Sequence, residues 1–207
     1  MLIVRCFSTR RPVSAPPFGR FALALALVAA VGTGARAVPP HSVARLNVSS
    51  GSFRAGLRLP AWMANAGCVQ QAENRSPDLR WNRGPAGTRA YAVILFDPDA
   101  PTGHGFYHWA LVDVPVFTTH LPAGAGDPKS PFAPVGARAG QNDYGTHRYA
   151  GPCPPPGDHP HRYIFTVDAV DVARLAGLGK TADGPAVRGL LRNHILAEGT
   201  LMGRFGR

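Results

Sequence analysis

The sequence predicts a mainly β fold with one or two short helices, including a helix near the C-terminus. Three nearly continuous apolar runs, at residues 89–96, 106–114 and 162–170, have the length of strands buried on both faces. The segments between them are rich in Pro and Gly, which interrupt helices. Residues 185–198 repeat their apolar residues with the spacing of a helix packed on a core. The 207 residues suffice for one domain.

The first two strands are predicted as neighbours joined by a tight connection. The turn signal Gly84-Pro85-Ala86-Gly87 precedes the strand at 89–96. The nine residues DPDAPTGHG then follow, and their Pro and Gly content excludes a helix. The chain therefore turns there and enters the strand at 106–114.

The segments that flank these strands are less regular. Residues 115–160 carry three clusters of Pro and Gly, and a loop region this long inside a domain usually has a function. Alternation predicts one short strand at residues 42–48, and residues 53–59 and 200–205 are candidates for two more. The helix prediction depends on Val187, Leu190, Leu191, Ile195 and Leu196.

Residues 1–37 have the composition of a secretory signal peptide. Four arginines and no acidic residue precede the apolar run at 21–31, and the small-residue site Ala35-Arg36-Ala37 follows it. We therefore expect cleavage near Ala37, export to the periplasm or the exterior, and a single domain at 38–207. A membrane anchor is an alternative, although the run has only about half of the ~20 residues that span a bilayer. An organelle transit peptide is another, although such peptides lack a solid apolar block.

Half of the net charge of +10 at pH 7 arises from this leader. Without its five arginines, 17 basic and 12 acidic residues remain, a net charge of +5. Neither a Lys/Arg block nor a basic stripe is present in that remainder. We therefore expect no nucleic-acid partner and no stable membrane insertion of the mature domain.

Two cysteines, Cys68 and Cys153, remain after the leader and its Cys6 are removed. An even pair in an exported protein predicts a disulfide between them. The alternative is two separate buried thiols.

Polar residues gather at one predicted edge of the sheet. Asp97 and Asp99 follow the strand at 89–96, and His108 lies on the next strand. A carboxylate and an imidazole can meet there, and the carboxylate would favour the protonated imidazolium. His161 and Tyr163 are two residues apart on the third strand and so share a face.

Together with backbone N–H groups around Gly151, these side chains can surround a phosphate, sulfate or carboxylate. Each also has a structural interpretation. Asp97 and Asp99 can cap a turn, and His108 and Tyr163 can belong to the core.

Enzymatic chemistry has weaker support in the sequence. It has no Gly-x-Ser-x-Gly motif, and Cys153 is expected to be oxidised. His159-x-His161 can chelate a metal from a strand, but no third ligand is evident in the sequence. His104-x-x-x-His108 has the spacing of a metal site on a helix, but glycines interrupt the helix that it would need. We therefore expect a protein without catalytic activity, metal or cofactor.

Several ordered motifs resemble the phosphatidylethanolamine-binding protein (PEBP) family, in particular its bacterial Raf kinase inhibitor-like branch. They are DPDAP at 97–101, His108-Trp109, and GPCPPPGDHPHRY at 151–163, within a likeness that runs from Cys68 to the C-terminal GRFGR. The resemblance implies a large antiparallel sheet packed on a smaller one, a small pocket for a phosphate-like head group, and a cis bond before Pro101. Carried over by position, the ligand-binding residues are Asp97, Asp99, Ala100, Pro101, His108, Gly151, His161 and Tyr163.

Three functional classes follow. A binding protein for a small anionic or phosphorylated ligand is the first, because the expected pocket has donors but no evident nucleophile. The second is an inhibitor or modulator of another protein, such as a protease or kinase, which would use an exposed loop within 115–160. The third is a hydrolase or metal enzyme.

Overall fold

Nine strands and one α-helix form the regular structure of residues 43–207, which is the part of the chain that the computed structural model describes. The helix α1 spans Gly184–Leu191, and a single 3₁₀ turn lies at Ala61–Met63. The strands are β1 (Ala44–Arg45), β2 (Val48–Ser49), β3 (Leu79–Trp81), β4 (Ala90–Asp97), β5 (Phe106–Pro115), β6 (His120–Leu121), β7 (Arg138–Ala139), β8 (His161–Val170) and β9 (Ile195–Phe205). The predicted leader and its cleavage site lie outside the described residues.

The strands form a large sheet and a smaller one. The large sheet has six strands in the order β1-β9-β8-β4-β5-β7, and the smaller has the order β2-β3-β6. All pairs in the large sheet are antiparallel except β1 with β9, which makes it a mixed sheet. The predicted mainly β fold with two sheets and a helix near the C-terminus is therefore confirmed.

The central strand β4 is buried on both faces, which explains its continuous apolar sequence. Tyr91, Val93 and Leu95 belong to the main core, together with Leu79 and Leu121 of the smaller sheet. The alternate residues of β4, which include Ala92 and Ile94, pack in a second cluster with Val187 and Leu191 of α1. Successive side chains of a strand point to opposite faces, so one strand supplies both cores.

The helix is shorter than the sequence predicts, and the last strand is longer. Asp183 caps α1 by accepting a hydrogen bond from the Ala186 N–H, but the helix ends at Leu191 and β9 begins at Ile195. Ten residues of β9 pair with β8, and burial alternates along much of the strand. Ile195 and Leu196 fit either periodicity, and the hydrogen-bonding edge of β8 selects the strand.

The short N-terminal strands are also smaller than predicted. The segment at 42–48 contains β1 and the first residue of β2, and the segment at 53–59 contributes an isolated bridge between Arg58 and Arg204. The irregular region 115–160 contains the two-residue strands β6 and β7. Such short pairings leave little periodicity in the sequence.

A buried carboxylate lies beneath α1 on the face of the sheet away from the main core. Asp168 of β8 is fully buried, and one of its oxygens has no hydrogen-bond partner among residues 43–207. Arg188 of α1 donates from Nη1 to the other oxygen at 2.9 Å and also reaches Glu198 at 3.4 Å. Burial raises the pKa of Asp168 to about 7, although the Arg188 charge opposes this shift.

We expect Arg188→Ala to lower the free energy of unfolding, and to do so more at pH 8 than at pH 5.5. Breaking a buried ion pair typically costs about 3–5 kcal/mol, and we expect about 2–3 kcal/mol because Arg188 is partly exposed. A carboxylate whose folded pKa is raised stabilises the fold at low pH and loses that contribution as the pH rises through the folded pKa. Removing the Arg188 charge raises the folded pKa of Asp168 further. The free energy of unfolding therefore falls more at pH 8 than at pH 5.5.

Urea denaturation of both proteins at the two pH values checks this expectation. Arg192→Ala, which removes an exposed arginine with no ion pair among the described residues, is the matched control and should change stability little at either pH. Equal losses for Arg188→Ala at both pH values would contradict the expectation.

Candidate functional site

A small cavity of about 190 Å³ lies at the end of the large sheet where β4 stops and β8 starts. Larger grooves exist, including one of about 610 Å³ beside Arg75 and Phe132, but the small cavity is the one onto which buried ionisable side chains converge. Its lining residues are Asp97, Ala100, Pro101, Thr102, Phe106, His108, Tyr144, Cys153, Pro154, Pro155, His161 and Tyr163.

The sheet topology explains why these residues meet. Strand β4 lies between β5 and β8 and is antiparallel to both, so its end adjoins the start of each neighbour. Asp97 is the last residue of β4, and His108 is the third residue of β5. His161 and Tyr163 are the first and third residues of β8, on one face of that strand.

The carboxylate of Asp97 pairs with His161. Asp97 Oδ2 lies 2.8 Å from His161 Nδ1, and both side chains are almost completely buried. The other oxygen of Asp97 accepts the Asp99 N–H at 2.9 Å, and His161 Nε2 lies 3.1 Å from an Asp158 oxygen. Burial opposes the charged imidazolium, but hydrogen bonds to Asp97 and Asp158 outweigh it and hold the pKa of His161 above its ordinary value.

His108 is in a different state from the one the sequence suggested. Its Nδ1 lies 2.8 Å from the Ala150 carbonyl oxygen, which can only accept, so Nδ1 carries the proton. Burial lowers the pKa of His108 to about 4, so the ring is neutral at pH 7 and Nε2 presents a lone pair. The expected carboxylate–imidazolium pair exists, but it joins Asp97 to His161.

Tyr163 lines the cavity and carries a buried hydroxyl that forms no hydrogen bond with the described residues. Four buried side-chain polar atoms of residues 43–207 have no hydrogen-bond partner, and this hydroxyl is the one that belongs to a lining residue. Burial and the nearby Asp97 carboxylate raise the pKa of Tyr163, so the hydroxyl keeps its proton. Its ring lies edge-on to His108, with centroids 5.3 Å apart.

Of the eight predicted ligand-binding residues, six line the cavity and two lie outside the lining. Asp99 forms a bidentate ion pair with Arg162, with Oδ1 2.6 Å from Nη2, and this pairing lowers the pKa of Asp99 to about 2. Gly151 donates its N–H to Asn74 Oδ1 at 2.7 Å. Ala100 and Pro101 are in the lining, and every peptide bond of residues 43–207 is trans, so the cis bond expected before Pro101 is absent.

Sequence reasoning missed the aromatic wall of the cavity. The ring of Tyr144 packs against Phe106 at 4.8 Å and His108 at 5.9 Å between centroids. The buried side chain of Asn142 holds this loop in place, because Oδ1 accepts the Tyr144 N–H and Nδ2 donates to the Arg148 carbonyl. The segment Asn142-Asp143-Tyr144-Gly145 ends six residues before the motif at 151–163 begins, but no periodicity in this loop indicates that the Tyr144 ring packs on His108.

Cys153 also lines the cavity, and the structure joins it to Cys68, as predicted. The Cα atoms are 5.5 Å apart, within the usual range for a disulfide. The bridge connects the loop after the 3₁₀ turn to the Pro-rich wall formed by Cys153, Pro154 and Pro155.

Comparison with known families agrees with this arrangement. The family model described as phosphatidylethanolamine-binding protein matches residues 49–206, which is most of the chain. The chain belongs to this family. The PEBP resemblance seen in the sequence motifs is therefore confirmed.

Relatives within the PEBP family include two Escherichia coli proteins. YbhB is 37% identical over 160 residues, which cover 77% of this chain and 99% of YbhB. The crystal structure of YbcL, described as a new member of the mammalian PEBP family, has a TM-score of 0.74 at 34% identity and covers 79% of this chain and 99% of that one.

A PEBP from Plasmodium vivax is a more distant relative in fold. It has a TM-score of 0.52 at 16% identity, covers 82% of this chain and 90% of its own, and shares the fold alone. Within residues 43–207, no helix has the length and apolar character needed to cross a bilayer.

Proposed function

We propose that this PEBP-family chain is a binding protein whose 190 Å³ cavity holds a phosphate-like head group. The observation that carries the proposal is the Tyr163 hydroxyl, a buried donor without a partner in the wall of that cavity. A buried polar group without a partner is expensive, and a ligand oxygen would satisfy it. The cavity is smaller than the ~300–1,000 Å³ of sites for drug-sized ligands, which suits a head group.

The protonation states of the lining residues suggest which ligand oxygen meets which group. Tyr163 can donate to an anionic oxygen, whereas the neutral His108 can accept a hydrogen bond at Nε2. A phosphate monoester with one protonated oxygen supplies both partners. The Asp97 charge is already compensated by the His161 imidazolium, which reduces repulsion of an anion.

The remaining predicted ligand-binding residues fall into two groups in this proposal. Ala100 and Pro101 shape the cavity wall next to the ligand. Asp99 and Gly151 act indirectly, because the Asp99–Arg162 ion pair and the Gly151–Asn74 hydrogen bond hold the loops that carry the wall.

We propose binding rather than catalysis because the aliphatic hydroxyl and the sulfur in the lining are already engaged. Cys153 is in the disulfide, and Thr102 donates its hydroxyl to the Gly105 carbonyl at 2.6 Å. A disulfide sulfur has no thiolate to attack with, and the Thr102 hydroxyl already donates its proton to a carbonyl rather than to a general base.

Tyr163→Phe is expected to weaken phosphate binding without destabilising the fold. A hydrogen bond to a charged group contributes about 1.5–3 kcal/mol, which corresponds to roughly 10–100-fold in affinity. The hydroxyl has no hydrogen-bond partner among residues 43–207, so its removal leaves none of their polar groups unsatisfied. NMR titrations with inorganic phosphate and phosphoethanolamine near pH 6, following the His108 and His161 imidazole signals, measure the affinity.

Tyr149→Phe is the matched control. The buried Tyr149 hydroxyl donates to the Met63 carbonyl at 3.0 Å, away from the cavity lining, so this variant should lose about 1 kcal/mol of stability and retain phosphate affinity. His108→Ala and Asp97→Ala should both abolish binding while the fold survives. Unchanged phosphate affinity in Tyr163→Phe, or unfolding of both alanine variants, would reject the assigned site.

We also propose that the chain is exported and cleaved near Ala37. The support is the order of an arginine-rich start, an apolar run at 21–31 and a small-residue site. A disulfide between Cys68 and Cys153 is compatible with an oxidising compartment.

A further inference from the structure

A cluster of three potential metal ligands lies beside the phosphate cavity. Asp158, His159 and His161 each offer one ligand atom, and these atoms lie within 4.8 Å of one another. Asp158 Oδ1 is 2.9 Å from His159 Nδ1, and Asp158 Oδ2 is 3.1 Å from His161 Nε2. Of the three residues, His161 lines the cavity.

The backbone before β8 brings this cluster together. Gly157 adopts a positive φ of 79°, and the Asp158 N–H donates to the Pro155 carbonyl at 3.2 Å. This turn folds the Asp158 carboxylate back toward the first residue of β8. The Asp158 side chain also accepts the His159 N–H at 2.8 Å, which orients the carboxylate between the two imidazoles.

His161 is held in the orientation that metal-binding histidines usually have. Its Nδ1 hydrogen bonds to the buried carboxylate of Asp97 at 2.8 Å, so Nε2 is the nitrogen directed at Asp158. Histidine ligands commonly donate their other ring nitrogen to a carboxylate, which fixes the tautomer and the ring plane. Strand β8 and near-complete burial restrain the ring further.

The charges of the surrounding groups also suit a divalent cation. Asp97 and Asp158 supply two carboxylates around one imidazole ring. The neighbouring cation, Arg162, is paired with Asp99 and so opposes a second positive charge less.

We propose that Asp158, His159 and His161 bind one divalent transition metal ion of the zinc class. Two imidazoles and one carboxylate match the ligand preference of Zn²⁺, Co²⁺ and Ni²⁺. The metal replaces the proton on His161 Nε2, and the exposed His159 ring turns its Nδ1 toward the same point. Three protein ligands leave a coordination position open to water or an anion. The proposal does not rest on phosphate binding, because Asp158 and His159 are outside the cavity lining.

Titration of the untagged full chain with ZnCl₂ and CoCl₂ tests this site. We expect one equivalent to bind by calorimetry, and we expect the Co²⁺ protein to show the visible absorption of a low-coordinate site with nitrogen ligands. Asp158→Asn and His159→Ala should each weaken binding at least about tenfold, and Asp97→Asn should weaken it about 10–100-fold through the orientation of His161.

His194→Ala is the matched control. His194 and Asp171 form a similar imidazole–carboxylate pair, with Nδ1 2.8 Å from Oδ1, but they belong to no cluster of three ligands in the described part of the chain. This variant should bind Zn²⁺ as the parent does. Phosphate titration of Asp158→Asn without metal separates the two proposals, because that variant should keep its phosphate affinity.

Two results would overturn the metal proposal. One is the absence of saturable binding at millimolar Zn²⁺, which would make the cluster a hydrogen-bonded turn. The other is equal affinity in the parent and in folded His159→Ala, with folding checked by circular dichroism.

Discussion

Gly151→Ala is expected to destabilise the fold severely, although it adds a single methyl group. A Cβ atom at this position would lie 1.8 Å from the Met63 carbonyl oxygen and 2.7 Å from the Ala64 carbonyl carbon. Both neighbours are buried backbone, and the adjacent Asn65 N–H is bonded to the Pro152 carbonyl at 3.0 Å, so the chain cannot move aside easily. We expect a loss of about 3 kcal/mol or more, at or above the upper end for overpacking.

Gly189→Ala is the control for this substitution. Gly189 lies in α1, and outside the helix's own backbone no atom of residues 43–207 would lie within 4 Å of an added Cβ, so alanine should stabilise the helix by about 0.5–1 kcal/mol. Urea denaturation of the two variants measures both effects. If Gly151→Ala folds with parental stability and loses only phosphate binding, then Gly151 contacts the ligand directly, as the family resemblance implies.

Reduction of the Cys68–Cys153 disulfide should have the second large effect. The bridge spans a sequence separation of 85 residues. The chain-entropy model assigns a loop of this length about 4.5 kcal/mol, and losing a native disulfide typically costs about 2–5 kcal/mol. We expect the free energy of unfolding to fall by about 2–4 kcal/mol, which is within the range measured for native bridges.

Thiol counting and denaturation together test the bridge. The Cys6→Ser variant is equilibrated in its folded state in a glutathione redox buffer and then unfolded without reductant. It should show no free thiol, and subsequent reduction should expose two. Cys68→Ser, Cys153→Ser and the double variant should all match the reduced protein in stability. Two free thiols before reduction would reject the disulfide.

The strands that build the site were predictable because they are buried on both faces. The predicted runs at 89–96, 106–114 and 162–170 agree with β4, β5 and β8 to within one residue at each end. Continuous apolar sequence is the direct consequence of two cores, one on each side of the sheet. The motif residues lie at the ends of these strands. Their convergence at one end of the sheet was therefore also predictable.

The C-terminal region was less predictable because its apolar residues satisfy two periods. Ile195 and Leu196 continue the helical spacing of α1, yet they begin β9. The choice depends on β8, which provides a partner for ten residues of β9. No local property of the segment contains that information.

The sequence by itself determined the family, the three central strands, the cysteine pair and six of the residues in the cavity wall. Tertiary structure alone decided which imidazole meets Asp97, because the choice between His108 and His161 depends on the register of β4 with its two neighbours. It also determined that Asp99 pairs with Arg162 and that Gly151 bonds to Asn74. The contacts of Tyr144 with the cavity wall and of Asp158 with two histidines likewise depend on tertiary structure. These contacts depend on loop paths and on burial, which together determine which polar groups find hydrogen-bond partners.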